Sequence, residues 1–243
     1  MKKLSNSKPR FKQTEVYGLI NKLLIFEGVF RGLDLEKFNF ILDIGCGEAP
    51  EIQFIADNHK TCGFMIGLDI YPRKKWKSIM LHSNLVNFFV ADANHLPFRQ
   101  EVFDFVFIKD VLHHIRKDHI RVICEAFKVV RNFGTLRIIE ANRYHINPIL
   151  VFKRDKSHDH FTLKEIKRIK KCLYFDELYG FELLPSFSIF NRDFFWNFLV
   201  LLFWFLSTWS VSRYFLLLYI RMKEKFFKDD LTYYVLSKNR IRK

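Results

Sequence analysis

The chain has 243 residues, with 40 Lys and Arg against 26 Asp and Glu, a formal net charge of +14. That length permits one full domain plus an appendage, and 49% hydrophobic residues exclude a globally disordered chain. Four Cys without a C-x-x-C pair argue against a zinc ribbon, a thioredoxin-type site and a secreted disulfide scaffold; nine Gly and six Pro exclude collagen-like and linker classes.

The positive excess points to an anionic partner, nucleic acid or a membrane surface. In chain order, a basic arm comes first (Lys2, Lys3, Lys8, Arg10, Lys12), with no apolar run behind it, so it does not read as a secretory signal. Residues 14–30 carry Val16, Leu19, Ile20, Leu23, Leu24 and Phe30 at helical spacing, an amphipathic cap that must cover something. FNFILDI (38–44) is a buried strand entering a Gly-x-Gly turn, and Glu51–Asn58 is a helix. FMIGLDI (64–70), NFFVADA (87–93) and FDFVFIKD (103–110) are further strands. The basic residues Arg73, Lys74, Lys75 and Lys77 read as a solvated loop. Helical periodicity covers Asp118–Val130, with Asp118 as N-cap; a turn at Asn132–Gly134 then leads into the strand TLRIIEA (135–141). Thr162-Leu163-Lys164-Glu165 is a capping box opening a helix to about Leu173. Phe181–Ile189 and Thr232–Ser237 are later strand candidates.

Strands alternating with helices predict βαβ units and a mainly parallel sheet, whose strand carboxyl ends share one ligand-binding edge. Five candidate strand ends fall at Gly45, Asp69, Asp92, Asp110 and Glu140, and four of these are themselves acids. In LDIGCGEAP (42–50), Gly45 and Gly47 allow a tight turn and close approach to a ligand. Pro50 stands where a dinucleotide fingerprint needs its third glycine, so that fingerprint fails. Asp43, two residues before the first glycine, suits a cationic or amine-bearing ligand better than a diphosphate.

These motifs resemble those of the class I S-adenosylmethionine-dependent methyltransferases, of the type 11-like kind. The LDIGCG run, GLDI ending at Asp69, ADANHLPF (91–98), FDFVFIKDVLHHI (103–115) and VVRNFGTLRIIE follow that family's motif order, with Phe133 replacing a glycine of its usual turn. The resemblance covers about residues 38–141. It implies a Rossmann-like α/β fold: a seven-stranded, mainly parallel sheet with helices on both faces. It also implies S-adenosyl-L-methionine as cofactor, held by Asp43, Gly45, Gly47, Asp69, Ile70, Asp92, Ala93 and Asp110. Asp69 would accept from the ribose hydroxyls and Asp92 from the adenine amino group. Methyl transfer needs alignment and water exclusion, and a base is optional. Base candidates are Asp110, His113 and His114. Asn142, Arg143, His145 and Asn147 are candidate acceptor contacts by placement, while Glu140 reads equally as a satisfied strand-end acid. His158-Asp159-His160 looks metal-binding, but contiguous side chains diverge and no Cys or His flanks them, so no metal is expected.

Residues 194–212 hold no charge, and such a helix would be about 28 Å long, near the thickness of a bilayer's hydrocarbon core. Trp196, Trp204, Trp209, Tyr214 and Tyr219 punctuate residues 194–220, and Arg221, Lys223, Lys225 and Lys228 flank them. The segment reads first as an interfacial helix pair, because DDLTYYVLSKN (229–239) reads as a strand that must return beside the fifth. The expected organisation is therefore a basic arm and cap (1–37), a methyltransferase domain (38–192), an apolar membrane-facing insertion (193–228), and a return strand with a basic tail (229–243). The expected acceptor is a hydrophobic or lipid-linked small molecule, met on the cytoplasmic side of a membrane. An RNA or soluble small-molecule methyltransferase is the alternative, although scattered basic residues without an RNA-binding signature argue against nucleic acid. A non-catalytic, membrane-anchored Rossmann-like protein is an alternative of another class.

Overall fold

Apolar runs of strand length, each followed by a polar or amphipathic stretch, pair in an order that departs from their order in the chain. In the computed structural model, which describes residues 25–59, 63–142, 160–181 and 233–239, seven strands form one sheet. They are β1 (Phe40–Ile44), β2 (Phe64–Asp69), β3 (Val86–Val90), β4 (Phe103–Lys109), β5 (Val130–Ala141), β6 (Glu177–Phe181) and β7 (Tyr233–Asn239). Their order is β3-β2-β1-β4-β5-β7-β6. β1 to β5 run parallel, and β7 is antiparallel to both β5 and β6. The return strand thus lies beside the fifth, as expected. The chain winds outward from β1 through β2 to β3, then crosses back to β4 on the other side of β1. The β1/β4 boundary is therefore the topological switch point, where open α/β sheets leave a crevice at the strand carboxyl ends.

Alternation along the strands makes two cores. Leu42, Ile44, Val106, Ile108, Leu136 and Ile138 face α3 (His119–Val129) and α4 (Leu163–Leu173). Ile41, Phe105, Phe107 and Val235 face α1 (Pro50–Asn58), α2 (Lys74–His82) and the helical residues 25–30. Those last residues answer what the amphipathic cap covers: Phe26 stacks on Phe54 at 3.8 Å, and Phe30 meets Phe105 and Phe107 edge-on at 6.1 and 5.8 Å. The remainder of the expected cap, residues 14–24, lies outside the described residues. A buried Arg137 on β5 donates to the carbonyls of Val29 and Arg31, both at 2.6 Å, satisfying the end of the helical segment.

Three expectations are corrected. Lys74–His82 is a helix, not a solvated loop: Trp76 and Ile79 are buried three residues apart while Lys74, Lys75 and Lys77 stay exposed. Asp118 stands at the N-cap of α3, as expected, but its side chain makes no cap bond, its backbone (φ −110°, ψ 6°) lying outside the extended region caps favour. Asn132–Gly134 is not a separate turn. β5 runs through it as a bulge, with Phe103 opposite Val130 and Phe105 already opposite Thr135. Phe133 holds the left-handed φ (63°) that glycine would adopt more readily. The sixth strand is Glu177–Phe181, earlier than expected, because the edge it occupies is set by pairing with β7 and not by an apolar run; residues 182–189 lie outside the described residues. The Thr162 capping box is present in full, with Glu165 N donating to Thr162 Oγ1 and Thr162 N to Glu165 Oε2.

Among the described residues no helix is long and apolar enough to cross a membrane; the apolar segment 194–220 lies outside them.

Candidate functional site

β1 ends in the glycine turn. Gly45 (φ +74°) and Cys46 both donate to Leu68 O at 2.6 and 3.0 Å, which ties the turn to the end of β2. A Cβ on Gly45 would lie 2.2 Å from a methyl of Val111, so the first glycine is required by close packing of the β1 and β4 ends. A Cβ on Gly47 (φ +51°) would meet nothing within 4 Å, so the second glycine leaves its backbone open to a ligand. Gly47 N donates to Asp69 Oδ2 at 2.9 Å, and Tyr71 N donates to Asp69 Oδ1 at 3.1 Å. Trp76 Nε1 donates to Gly47 O at 2.7 Å and its ring stacks on Phe88 at 4.8 Å, so α2 clamps the turn from outside.

Beside the turn lies a cluster of acids around one cation. Asp43 and Glu51 are buried. Lys109 Nζ lies 2.8 Å from Asp110 Oδ2 and 3.4 Å from Glu51 Oε1, and Tyr233 donates to Asp110 Oδ2 at 3.1 Å. Burial raises the Asp43 carboxyl well above the ordinary range, with Glu51 adding to the rise. Burial opposes the charge on Lys109, but Asp110 and Glu51 outweigh it and hold the ammonium on; burial likewise raises the Tyr233 phenol, keeping it a donor. Asp110 adopts a left-handed backbone (φ 55°) at the end of β4, the kind of local strain that collects at functional sites. Asp43 Oδ2 and Asp110 Oδ1 are buried without a hydrogen-bond partner. Buried polar atoms are rarely left so, and two carboxylate oxygens in this state at one sheet edge suit a cationic ligand.

Asp92 and Ala93 follow β3, the next strand outward, where Ala91 N donates to Asp69 O at 3.1 Å. Asp92 is exposed; its Oδ1 accepts from Asn94 N at 2.9 Å, and that bond lowers its pKa. Ile70 is also exposed at this rim. Asp43, Gly45, Gly47, Asp69 and Asp110 are thus brought to the switch point, with Ile70, Asp92 and Ala93 on its β3 side.

On the opposite side of β4 the histidines separate in role. Glu140 is fully buried; its Oε1 accepts from Val111 N and Leu112 N at 3.1 and 2.7 Å, and its Oε2 lies 2.9 Å from His113 Nδ1. Burial, with the charge of Asp110, pushes Glu140 up to about 8. His113 is buried, whereas His114 is exposed, with ring centroids 4.0 Å apart. Glu140 is therefore the satisfied strand-end acid, and it orients His113. Of the histidines at 158–160, His160 is described; its ring lies 4.3 Å from that of His113. Asn142 is buried and bridges to Phe161, while Arg143, His145 and Asn147 lie outside the described residues. Sequence reading missed Glu51, Trp76, Lys109 and Tyr233. The lysine carried a signal, a charge on the last residue of an apolar strand; Tyr233, 123 residues from Asp110, carried none.

Residues 42–138 match the family described as "Methyltransferase domain". An uncharacterised protein of Methanocaldococcus jannaschii is 26% identical over 173 residues, 69% of this chain and 67% of that protein. Among solved structures, a methyltransferase complexed with the Trm112 methyltransferase activator of Haloferax volcanii is similar with a TM-score of 0.59 at 15% identity, covering 88% of each chain. The Burkholderia thailandensis 1,6-didemethyltoxoflavin-N1-methyltransferase, bound to 1,6-didemethyltoxoflavin and S-adenosylhomocysteine, gives 0.56 at 12% identity, over 94% of this chain and 82% of that one. A SAM-dependent methyltransferase of Aquifex aeolicus gives 0.53 at 18% identity, over 72% of this chain and 94% of that one. At these identities the structural likeness is one of fold.

Proposed function

We propose that this chain, whose residues 42–138 match a methyltransferase domain, is a class I S-adenosylmethionine-dependent methyltransferase that transfers a methyl group to a hydrophobic or lipid-linked small molecule at a membrane surface. The observation that carries the cofactor part is the pair of buried, unsatisfied oxygens of Asp43 and Asp110 beside the open backbone of Gly47. S-adenosyl-L-methionine bears an ammonium and a sulfonium, and when bound it supplies an electrophilic methyl group. Asp43 and Asp110 would hold its cationic end, Gly47 would line its approach, Asp69 would receive the ribose hydroxyls and Asp92 the adenine amino group. Asp69 already accepts one N–H at each oxygen, and each carboxylate oxygen can accept a second.

Lys109 and Tyr233 fix Asp110 from one side, so its carboxylate is aimed before any ligand arrives. This pre-positioning is where an alignment-driven reaction gains rate, up to about 7–11 kcal/mol for well-oriented partners. A proton from an acceptor hydroxyl or nitrogen can pass to His114, the exposed imidazole just past β4; His113 is committed to Glu140.

The acceptor reading rests on the charge-free run 194–212 and its basic flank, which precede the strand that carries Tyr233 to Asp110. The test is incubation of membranes with methyl-labelled cofactor, alongside fractionation of wild type and a 194–220 deletion. Label is expected in the lipid extract, and wild type in the membrane fraction. Label in RNA alone, or wild type soluble without detergent, refutes the lipid acceptor. No cofactor binding by wild type refutes the enzyme reading and supports a non-catalytic anchor.

A further inference from the structure

We propose that His113, Glu140 and His160 form a site for one divalent transition-metal ion of the zinc(II) class. One ligand atom from each lies within 4.8 Å of the others. His113 comes from the short 3-10 helix Leu112–His114 after β4, Glu140 from β5, and His160 from the segment two residues before Thr162, which opens the α4 capping box. The donors therefore converge from three separate segments, which the contiguous histidine pattern at 158–160 could not reveal. Two imidazoles and a carboxylate are a donor set that suits zinc, with three protein ligands leaving a fourth position open.

The supporting geometry starts from the carboxylate. Glu140 Oε1 is held by two backbone N–H groups, leaving Oε2 directed at His113, as outer hydrogen bonds orient a ligating carboxylate. Bonds of about 2.0–2.1 Å to a tetrahedral ion put neighbouring donors about 3.3 Å apart. His113 Nδ1 and Glu140 Oε2, at 2.9 Å, already stand at that order of separation, and the widest gap must shrink by about 1.5 Å. Ion binding would replace the His113–Glu140 hydrogen bond with two metal–ligand bonds, the shared proton passing to solvent and leaving a carboxylate and a neutral imidazole as ligands. The open position would take water or a hydroxyl, thiol or amine of an acceptor. Because Val111 joins Glu140 to the packing of Gly45, such an ion would sit one residue layer from the cofactor edge.

The experiment uses the full chain, stripped with a chelator and titrated with Zn²⁺ against a competing chromophoric chelator, then with Co²⁺ read by its visible absorption. Wild type is expected to take up one equivalent of either ion, with a tetrahedral-type Co²⁺ spectrum. His160→Ala is expected to bind at least tenfold more weakly and to lose that spectrum, and His114→Ala to keep both. Circular dichroism identifies folded preparations, and Glu140→Gln, which keeps the shape of the buried acid, repeats the test if His160→Ala does not fold. No uptake by folded wild type, or equal uptake by folded wild type and variant, overturns the proposal. Binding of S-adenosylhomocysteine is measured on the same stripped wild type, so that failure of the metal site is told apart from failure of the cofactor reading.

Discussion

Asp43 is a carboxyl that folding makes costly to ionise, and it stands at the crevice where we propose that the cofactor binds. Its folded pKa is raised, by burial first and by Glu51 second, above the ordinary value of about 3.9. The sign follows directly. A raised acid contributes stability below the unfolded pKa, and that stability is lost as pH rises through the folded value. A cation bound beside it favours the ionised form, so binding releases a proton, and affinity rises with pH until Asp43 is ionised unaided. Calorimetry of S-adenosylhomocysteine binding in buffers of differing ionisation enthalpy should show that proton release. Asp43→Asn should bind at least tenfold more weakly, about 1.4 kcal/mol, and lose the pH dependence that Asp43 contributes. Unchanged affinity in the variant would place the ligand elsewhere.

At the scale of elements, the segment 25–30 is held by Phe26 and Phe30 from one side and by Arg137 from the strand beneath it. Tyr179 of β6 adds a hydrogen bond to Gly28 O at 3.0 Å, and its ring lies under the Arg137 guanidinium at 5.8 Å. Arg137→Met keeps the aliphatic bulk but strands two carbonyls. Charged hydrogen bonds to buried carbonyls contribute about 1.5–3 kcal/mol each, though not additively, so a loss of about 2–4 kcal/mol in urea denaturation is expected. Amide exchange should quicken first in residues 25–30. A loss under about 0.5 kcal/mol would show the contact to be incidental.

At the scale of the whole molecule, the order β3-β2-β1-β4-β5-β7-β6 puts the reversal of winding between β1 and β4, and every residue of the acid cluster stands on or beside that boundary or on β7. Ligand bound there joins segments that unfolding would part. Saturation at 100-fold above Kd should stabilise the fold by about 2.7 kcal/mol. For a chain of this size that is a rise of about 5–10 °C in Tm. Thermal melting with and without S-adenosylhomocysteine measures it, and an unshifted Tm would show that the crevice does not bind the cofactor product.

The sequence by itself determined the parallel strands β1 to β5 and the acids at their carboxyl ends. Strands β1, β2 and β4 are apolar runs with a glycine or an acid at or just past their last residue, a local pattern that survives folding because both faces of a parallel strand are covered. It misjudged Lys74–His82, where lysines outnumber the two residues that pack, and Glu177–Phe181, whose ELYGF has no alternation of its own. Only the tertiary structure decided which carboxylate oxygens lack partners, that Tyr233 reaches Asp110 across 123 residues, and that Glu140 meets His113 across 27. The physical reason is range. Periodicity and turn chemistry act over a few residues, so one chain states them. Burial, orphaned oxygens and convergent ligands arise where distant segments touch, and no local pattern encodes which segments those are.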